Sequence, residues 1–349
     1  MADPQLRAAS TPSQVYEASE RLSVPPVALA PALVEPGVRL LVDGAGGAVL
    51  LRRQWAGDGT AEAVVLHRAG VTLDHPAVLA TAAGWGCDWL CHASTGRTVP
   101  VPAPPDDAPL IDRFRYLAPL AATRVEIAVA LARDGSHAKA ADEAAHVAAF
   151  EVLRHLGLAV LSEERPDRPV ADGAPWIVLD PIDGTGNFAA GLPPWAFSAA
   201  LVQGGRPVAG LVADLSSGRR WEAAEGAGAW RDGVRARPRA GATAVLPTAP
   251  AGATVAVPPG MRRVRVTGCT SLDLCLVADG SAAVWHDLDR SGTHVHDVAG
   301  GLAVLLAAGG AALTPEGRLL ALRPDTQELI RFVAAPTAGA AQDLLRSAR

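Results

Sequence analysis

One stretch constrains this chain more than any other: Trp176-Ile-Val-Leu-Asp180-Pro181-Ile182-Asp183-Gly184-Thr185-Gly186-Asn187-Phe188. An apolar run, read as a short buried strand, leads directly into two carboxylates three apart. Proline removes a ladder donor, so sheet pairing is expected to stop just past Asp180. Gly184 permits a sharp turn, and Thr185 or Asn187 is placed to cap a following helix. Two acids at a strand end above a helix amino terminus make a combined site: the carboxylates hold hard cations, and the backbone N–H groups face an anion. A bare Asp-x-x-Asp is equally an Asx turn leading into an N-cap, but the full string is far more specific.

Two other segments carry acids in comparable settings. Leu158-Ala-Val-Leu-Ser162-Glu163-Glu164 is a second buried strand ending in adjacent carboxylates. Alone it reads as a solvated acidic turn; beside the first segment it becomes a third source of ligands. In His294-Val-His296-Asp297-Val-Ala-Gly-Gly301 an acid opens a helix of small residues. Asp297 is either an ordinary first-turn charge or a carboxylate held near a metal because Ala299, Gly300 and Gly301 let the helix approach a sheet.

The 349 residues, 49% hydrophobic and 19% charged, suffice for about two domains with a sizeable core. Residues 99–109 carry five prolines and read as a stiff linker between them. Before it, residues 1–20 are polar and expected to fray. Residues 38–43 and 48–52 form a hairpin around Gly44-Ala-Gly-Gly47, with strands at 63–67 and 98–101 and a short helix at 75–85. After it, helices are expected at 111–132, 141–156, 273–278 and 298–308, with strands at 158–161, 176–179, 196–203 and 208–213. The second helix would use Val147, Phe150, Val152, Leu153 and Leu156 as its apolar side. This alternation is α/β or α+β in several layers.

A net charge of −5 argues against a dedicated nucleic-acid or anionic-membrane binder. No apolar run reaches the roughly 18 residues of a membrane-spanning helix. The amino terminus has no apolar signal core, and four Cys make no disulfide framework, so a reducing cytoplasm is the expected setting. Cys87-x-x-x-Cys91-His92 has no second cysteine pair to complete a zinc site. Trp85 and Trp89 are expected in the core of the first domain.

The three acidic segments, in this order, resemble the inositol monophosphatase family of magnesium-dependent, lithium-sensitive phosphatases. The resemblance covers about residues 110–320. Ser162-Glu-Glu164, Asp134-Gly-Ser136 followed by Asp142, and Gly268-Cys-Thr-Ser-Leu-Asp-Leu-Cys275 with Ala278-Asp-Gly280 add to it. It implies a layered α-β-α-β-α sandwich over residues 109–349, preceded by a small, mainly β accessory domain over 1–108. It further implies two or three Mg²⁺ ions. Glu163, Asp180 and the Ile182 carbonyl look like ligands of one; Asp180, Asp183 and Asp297 look like ligands of another. Asp142 and Thr185 resemble the pair that orients the attacking water, with Glu163 the third member of the catalytic set. The Gly184 and Thr185 N–H groups would cradle the phosphate, while Gly268, Thr270, His286 and Asp287 would contact the rest of the substrate.

The implied reaction is hydrolysis of a small phosphate monoester (a cyclitol, sugar or nucleotide phosphate) by a metal-activated water, in a homodimer. Histidinol phosphate, fructose 1,6-bisphosphate and 3′-phosphoadenosine 5′-phosphate are alternative substrates. A non-catalytic protein reusing the fold is the rival from another class, and loss of a metal ligand would signal it; none is lost. The chemistry is coherent without the name. Phosphate monoesters hydrolyse extremely slowly unaided, and two ions about 3.5–4 Å apart can clamp attacking and leaving oxygens in line. Oxygen-only donors suit Mg²⁺.

Some positions depart from the family pattern. Ser162 stands where glycine is common, His296 where tryptophan is common, and Lys139 where threonine is usual. Lys139, the one lysine, either steers a second anionic group or is a solvated cation; His294 and His296 either reach substrate or face solvent.

Overall fold

The computed structural model describes residues 6–42, 47–55, 61–73, 75–95, 98–132, 138–164, 167–248, 257–288 and 292–347. They divide into two compact units: residues 1–108 with 232–234, and 109–231 with 235–349.

The first unit is a six-stranded sheet of β1 (Arg7–Ala8), β2 (Val38–Val42), β3 (Ala48–Trp55), β4 (Ala61–Ala69), β5 (Trp89–His92) and β6 (Thr98–Pro100), in that spatial order. Neighbours are antiparallel except β4 and β5, which α3 (Pro76–Gly84) joins as a crossover. The expected hairpin pairs Val38 with Arg52 and Val42 with Ala48; its Gly44-Ala-Gly46 turn lies outside the described residues. The amino terminus differs from expectation. Thr11 and Gln14 form a capping box that starts α1 (Pro12–Leu22), and Val15 and Ala18 bury against Leu40 and Leu50. The short helix α2 (Pro26–Leu29) follows. Trp85 is buried as expected, whereas Trp89 is 42% exposed on β5.

The second unit opens with α4 (Leu110–Ala132) and α5 (Ala138–Leu153). A seven-stranded sheet follows: β7 (Ala159–Ser162), β8 (Trp176–Asp183), β9 (Ala196–Gln203), β10 (Arg206–Asp214), β11 (Arg220–Ala224), β12 (Gly228–Arg231) and β13 (Val234–Arg235). It is ordered from β13 to β7, with only the β7–β8 pair parallel among the registers described. The short helix α6 (Thr185–Ala190) leaves the end of β8. A five-stranded sheet has the order β15 (Arg263–Arg265), β14 (Thr243–Val245), β16 (Val284–His286), β20 (Val333–Ala335), β18 (Ala311–Leu313), and β17 (Thr293–His294) pairs with β19 (Leu329–Ile330). Helices α7 (Thr270–Ala278), α8 (Val295–Ala307) and α9 (Ala338–Ser347) complete the unit.

Strand alternation explains the layering. Ile177 and Leu179 of β8 enter a core with Phe114, Val125 and Ala149 of α4 and α5. Trp176 and Val178 point the other way, into a core shared with α7, α8 and the Trp285 side of the five-stranded sheet. The far face of that sheet packs on Leu344 and Leu345 of α9. The result is the layered α-β-α-β-α sandwich.

Two local expectations change. The buried stripe of α5 is Ala141, Ala145, Ala149 and Leu153, at helical spacing, while Val147 is 44% exposed; alanine lets α5 lie close to α4. Pro181 does not end β8. The ladder steps from Asp180↔Ser198 to Asp183↔Ala196, a one-residue bulge that absorbs the missing donor.

Glycine sets how closely α8 approaches. A Cβ at Gly300 would meet Ser198 Oγ at 2.4 Å, and one at Gly301 would meet the Ser271 carbonyl oxygen at 2.4 Å. Gly301→Ala must therefore displace backbone and is expected to destabilise the unit by about 1–3 kcal/mol. Gly186→Ala, whose Cβ would meet nothing within 4 Å, is expected to leave the unfolding temperature unchanged or raise it slightly. Thermal unfolding of the two variants checks both.

Candidate active site

The bulge places both acids of β8 on one side of its end. Asp180 Oδ1 accepts from the Ile182 N–H at 3.1 Å, closing a tight Asx turn over Pro181. Gly184 then adopts φ +88°, and its missing Cβ leaves room for the Gly268 and Pro194 carbonyl oxygens, 3.1 and 3.2 Å from where it would lie. Gly268, at φ +78°, admits the Asn187 side chain in the same way. Asn187 is not a helix cap, contrary to expectation. Its Nδ2 donates to the Pro194 oxygen (2.8 Å) and the Thr267 oxygen (2.7 Å), tying the turn to the segment that starts α7. Thr185 is not the cap either: Gly184 occupies that position.

Three of the expected acids converge. Asp180, Asp183 and Asp297 each offer one oxygen within 4.8 Å of the others. Asp183 Oδ2 accepts from the Ser271 N–H (2.7 Å) and the Cys269 thiol (3.1 Å), which orients the carboxylate. Asp297 Oδ2 accepts from the His294 N–H at 3.2 Å, which fixes it in the first turn of α8. Glu163 follows β7 directly, and its charge is near enough to raise the Asp180 carboxyl. Asp142 sits on the buried face of α5, close enough to Glu163 to raise its pKa.

This arrangement is electrostatically costly without a cation. Burial, then the charges of Glu163, Asp183 and Asp297, hold the Asp180 carboxyl well above its usual range. Partial burial and the neighbouring Glu164 and Asp142 push Glu163 up to about 7, although its outer side is exposed. Burial and Glu164 push Asp142 up to about 6. Burial also raises Asp183, while hydrogen bonds from Ser271 and Cys269 pull it back. Asp180 Oδ2 and Asp142 Oδ1 are buried with no hydrogen-bond partner. Hard oxygens, orphaned lone pairs and mutual repulsion together fit a divalent cation such as Mg²⁺.

Other expected residues fall differently. The Thr185 hydroxyl donates to the Ile182 carbonyl at 3.0 Å rather than to Asp142. Thr270 is the first residue of α7, beside Asp183. Asp287 is 1% exposed, and both its oxygens are engaged, by Thr293 Oγ1 (3.0 Å) and the Phe332 N–H (2.9 Å). These bonds latch the end of β16. His286 is buried beside Asp287. The His294 and His296 rings stack 5.2 Å apart, and burial followed by the His294 charge lowers His296 to about 4. Lys139 is exposed on α5. Asp134-Gly-Ser136 lies outside the described residues. Cys269 and Ser271 escaped the sequence reading of the site, because each meets Asp183 across more than 80 residues of chain.

The raised carboxyls set a pH dependence. Asp142 and Glu163 take up protons more readily in the fold than in the open chain. Their stabilising contribution is fully present below about pH 4 and is lost as pH rises through about 6 to 7. The metal-free protein is therefore expected to unfold at a lower temperature at about pH 8 than at about pH 5. Mg²⁺ is expected to raise the unfolding temperature more at the higher pH; thermal unfolding in chelator and in Mg²⁺ measures both.

The inositol monophosphatase family profile matches residues 121–349. The chain is 32% identical over 204 residues to a fructose-1,6-bisphosphatase/inositol-1-monophosphatase of Thermococcus kodakarensis, covering 57% of this chain and 78% of that one. It is 35% identical over 178 residues to a histidinol-phosphatase of Mycobacterium tuberculosis, covering 46% and 66%. In fold it is similar to an inositol monophosphatase from Anabaena, with TM-score 0.56 and 22% identity over 68% of this chain and 95% of that one. It is likewise similar to inositol monophosphatase II of Staphylococcus aureus, with TM-score 0.57 and 21% identity over 66% and 95%. The chain belongs to the inositol monophosphatase family, metal-dependent phosphatases that hydrolyse small phosphate monoesters.

Proposed function

We propose that this protein hydrolyses a cyclitol, sugar or nucleotide monophosphate with two or three Mg²⁺ ions held by Glu163, Asp180, the Ile182 carbonyl, Asp183 and Asp297. The observation that carries the reading is the convergence of Asp180, Asp183 and Asp297 within 4.8 Å, with the buried Asp180 Oδ2 lacking any protein partner. Mg²⁺ bound there supplies the positive charge that neutralises the phosphate and makes a nearby water more acidic.

The chain's own groups do the rest. Ser271 and Cys269 hold Asp183 by one oxygen. The N–H groups of Gly184 and Thr185, at the start of α6, face the phosphate. Thr185 has committed its proton to Ile182, so its oxygen accepts from the attacking water. Asp142, with a buried unpaired oxygen, receives the proton or holds the water in line. Gly268 and Thr270 border the remainder of the substrate. The family resemblance extends the reading to a cytoplasmic homodimer, with residues 1–108 as an accessory domain. Among the described residues no helix is long and apolar enough to cross a membrane.

Phosphate release from a panel of cyclitol, sugar, nucleotide and histidinol phosphates, with and without Mg²⁺, tests the reading and assigns the substrate class. Asp180→Asn is expected to lower turnover at least about a hundredfold. Folded, Mg²⁺-binding protein whose turnover survives Asp180→Asn would sink the assignment.

A further inference from the structure

The strand that presents Glu163 is poorly secured by its own sheet. β7 is four residues long, lies at the sheet edge and, among the described residues, has β8 as its sole strand partner. A short edge strand is a weak platform for a ligand that must be held to within about 0.5 Å.

A second attachment comes from α5. His146 Nδ1 and Ser162 Oγ lie 2.8 Å apart, and both residues are buried. Ser162 ends β7 and immediately precedes Glu163. The His146 ring lies nearly parallel to that of Phe150, with centroids 5.9 Å apart and planes 11° apart, which sets its orientation. Asp142 lies one helical turn before His146 on the same buried face. One face of one helix therefore carries Asp142 into the acidic cluster and grips the strand that delivers Glu163.

We propose that His146 is a positioning residue: through Ser162 it fixes the Glu163 carboxylate relative to Asp142 and so sets the cation affinity of the site. This rests on Glu163 being a metal ligand. Outer partners that orient ligand-bearing segments commonly affect metal affinity by about 10–100-fold. The hydrogen bond needs only the ring atom Nδ1, so the effect follows that atom rather than the bulk of the ring.

The test measures Mg²⁺ affinity of the full chain by isothermal titration of the folded protein with Mg²⁺. His146→Phe keeps the stack on Phe150 and removes the nitrogen; Ser162→Ala removes the partner. Each is expected to weaken Mg²⁺ binding about tenfold, and the double variant is expected to be no weaker than either alone. His146→Asn, whose amide reaches the position of Nδ1, is expected to restore most of the affinity. Glu163→Gln is the control for the underlying reading. If Glu163→Gln weakens Mg²⁺ binding but His146→Phe and Ser162→Ala do not, the bond serves folding alone and the inference is wrong. If Glu163→Gln leaves the affinity unchanged, Glu163 is no ligand and both readings fall together. Should His146→Phe fail to fold, Ser162→Ala and His146→Asn decide the matter.

Discussion

Burial of like charge is the constraint on which the catalytic unit depends. Asp180 is 1% and Asp183 5% exposed, and among the described residues neither forms an ion pair with Arg or Lys. Isolated buried carboxylates are expensive, so the chain meets part of their demand with peptide N–H groups. Ile182 serves Asp180, Ser271 serves Asp183, and His294 serves Asp297. Each donor sits at a bend or a helix start, where backbone hydrogens are otherwise unclaimed. What those donors leave unsatisfied is a set of oxygens facing one another. A cation held by such a set would stabilise the fold around it.

The materials of the fold answer that demand. The chain is 49% hydrophobic but only 4% aromatic, so its seams close through small residues rather than bulky ones. Alanines at 141, 145 and 149 bring α5 down beside α4. Gly300 and Gly301 bring α8 against β9 and α7, and a Cβ at Gly210 would lie 2.5 Å from the Ala303 Cβ. Close helices put Asp142 and Asp297, which belong to opposite layers, around the single strand end that carries Asp180 and Asp183. Bulkier seams would hold the helices farther away and the acids apart.

Much of this was legible in the sequence because it is local. The β8 motif encodes its own strand, turn and helix start within thirteen residues, and the small residues opening α8 made close approach to a sheet one of two readings of Asp297. Local signals were also misread. Pro181 was expected to end a strand that instead bulges around it, because Asp180 closes a turn over the missing donor. The Thr11–Gln14 capping box was present in a segment expected to fray. Large apolar residues on α5 drew attention from the alanine stripe that is buried. Illegible were the partnerships made across the chain. Cys269 and Ser271 reach Asp183, and Asp287 closes on Phe332. The family resemblance assigned Asp287 to a substrate contact, and only tertiary packing shows both its oxygens engaged.

The bridge made by Asn187 has a consequence for motion. One side-chain amide spans the Pro194 and Thr267 carbonyl groups, while Gly184 and Gly268 stand in near contact beneath it. The turn after β8 and the lead-in to α7 therefore form one mechanical element. Neither can swing away from the other without breaking the Asn187–Thr267 bond, so the two segments open together. Amide hydrogens on the two segments should exchange together, as a single cooperative unit, although some eighty residues of chain separate them.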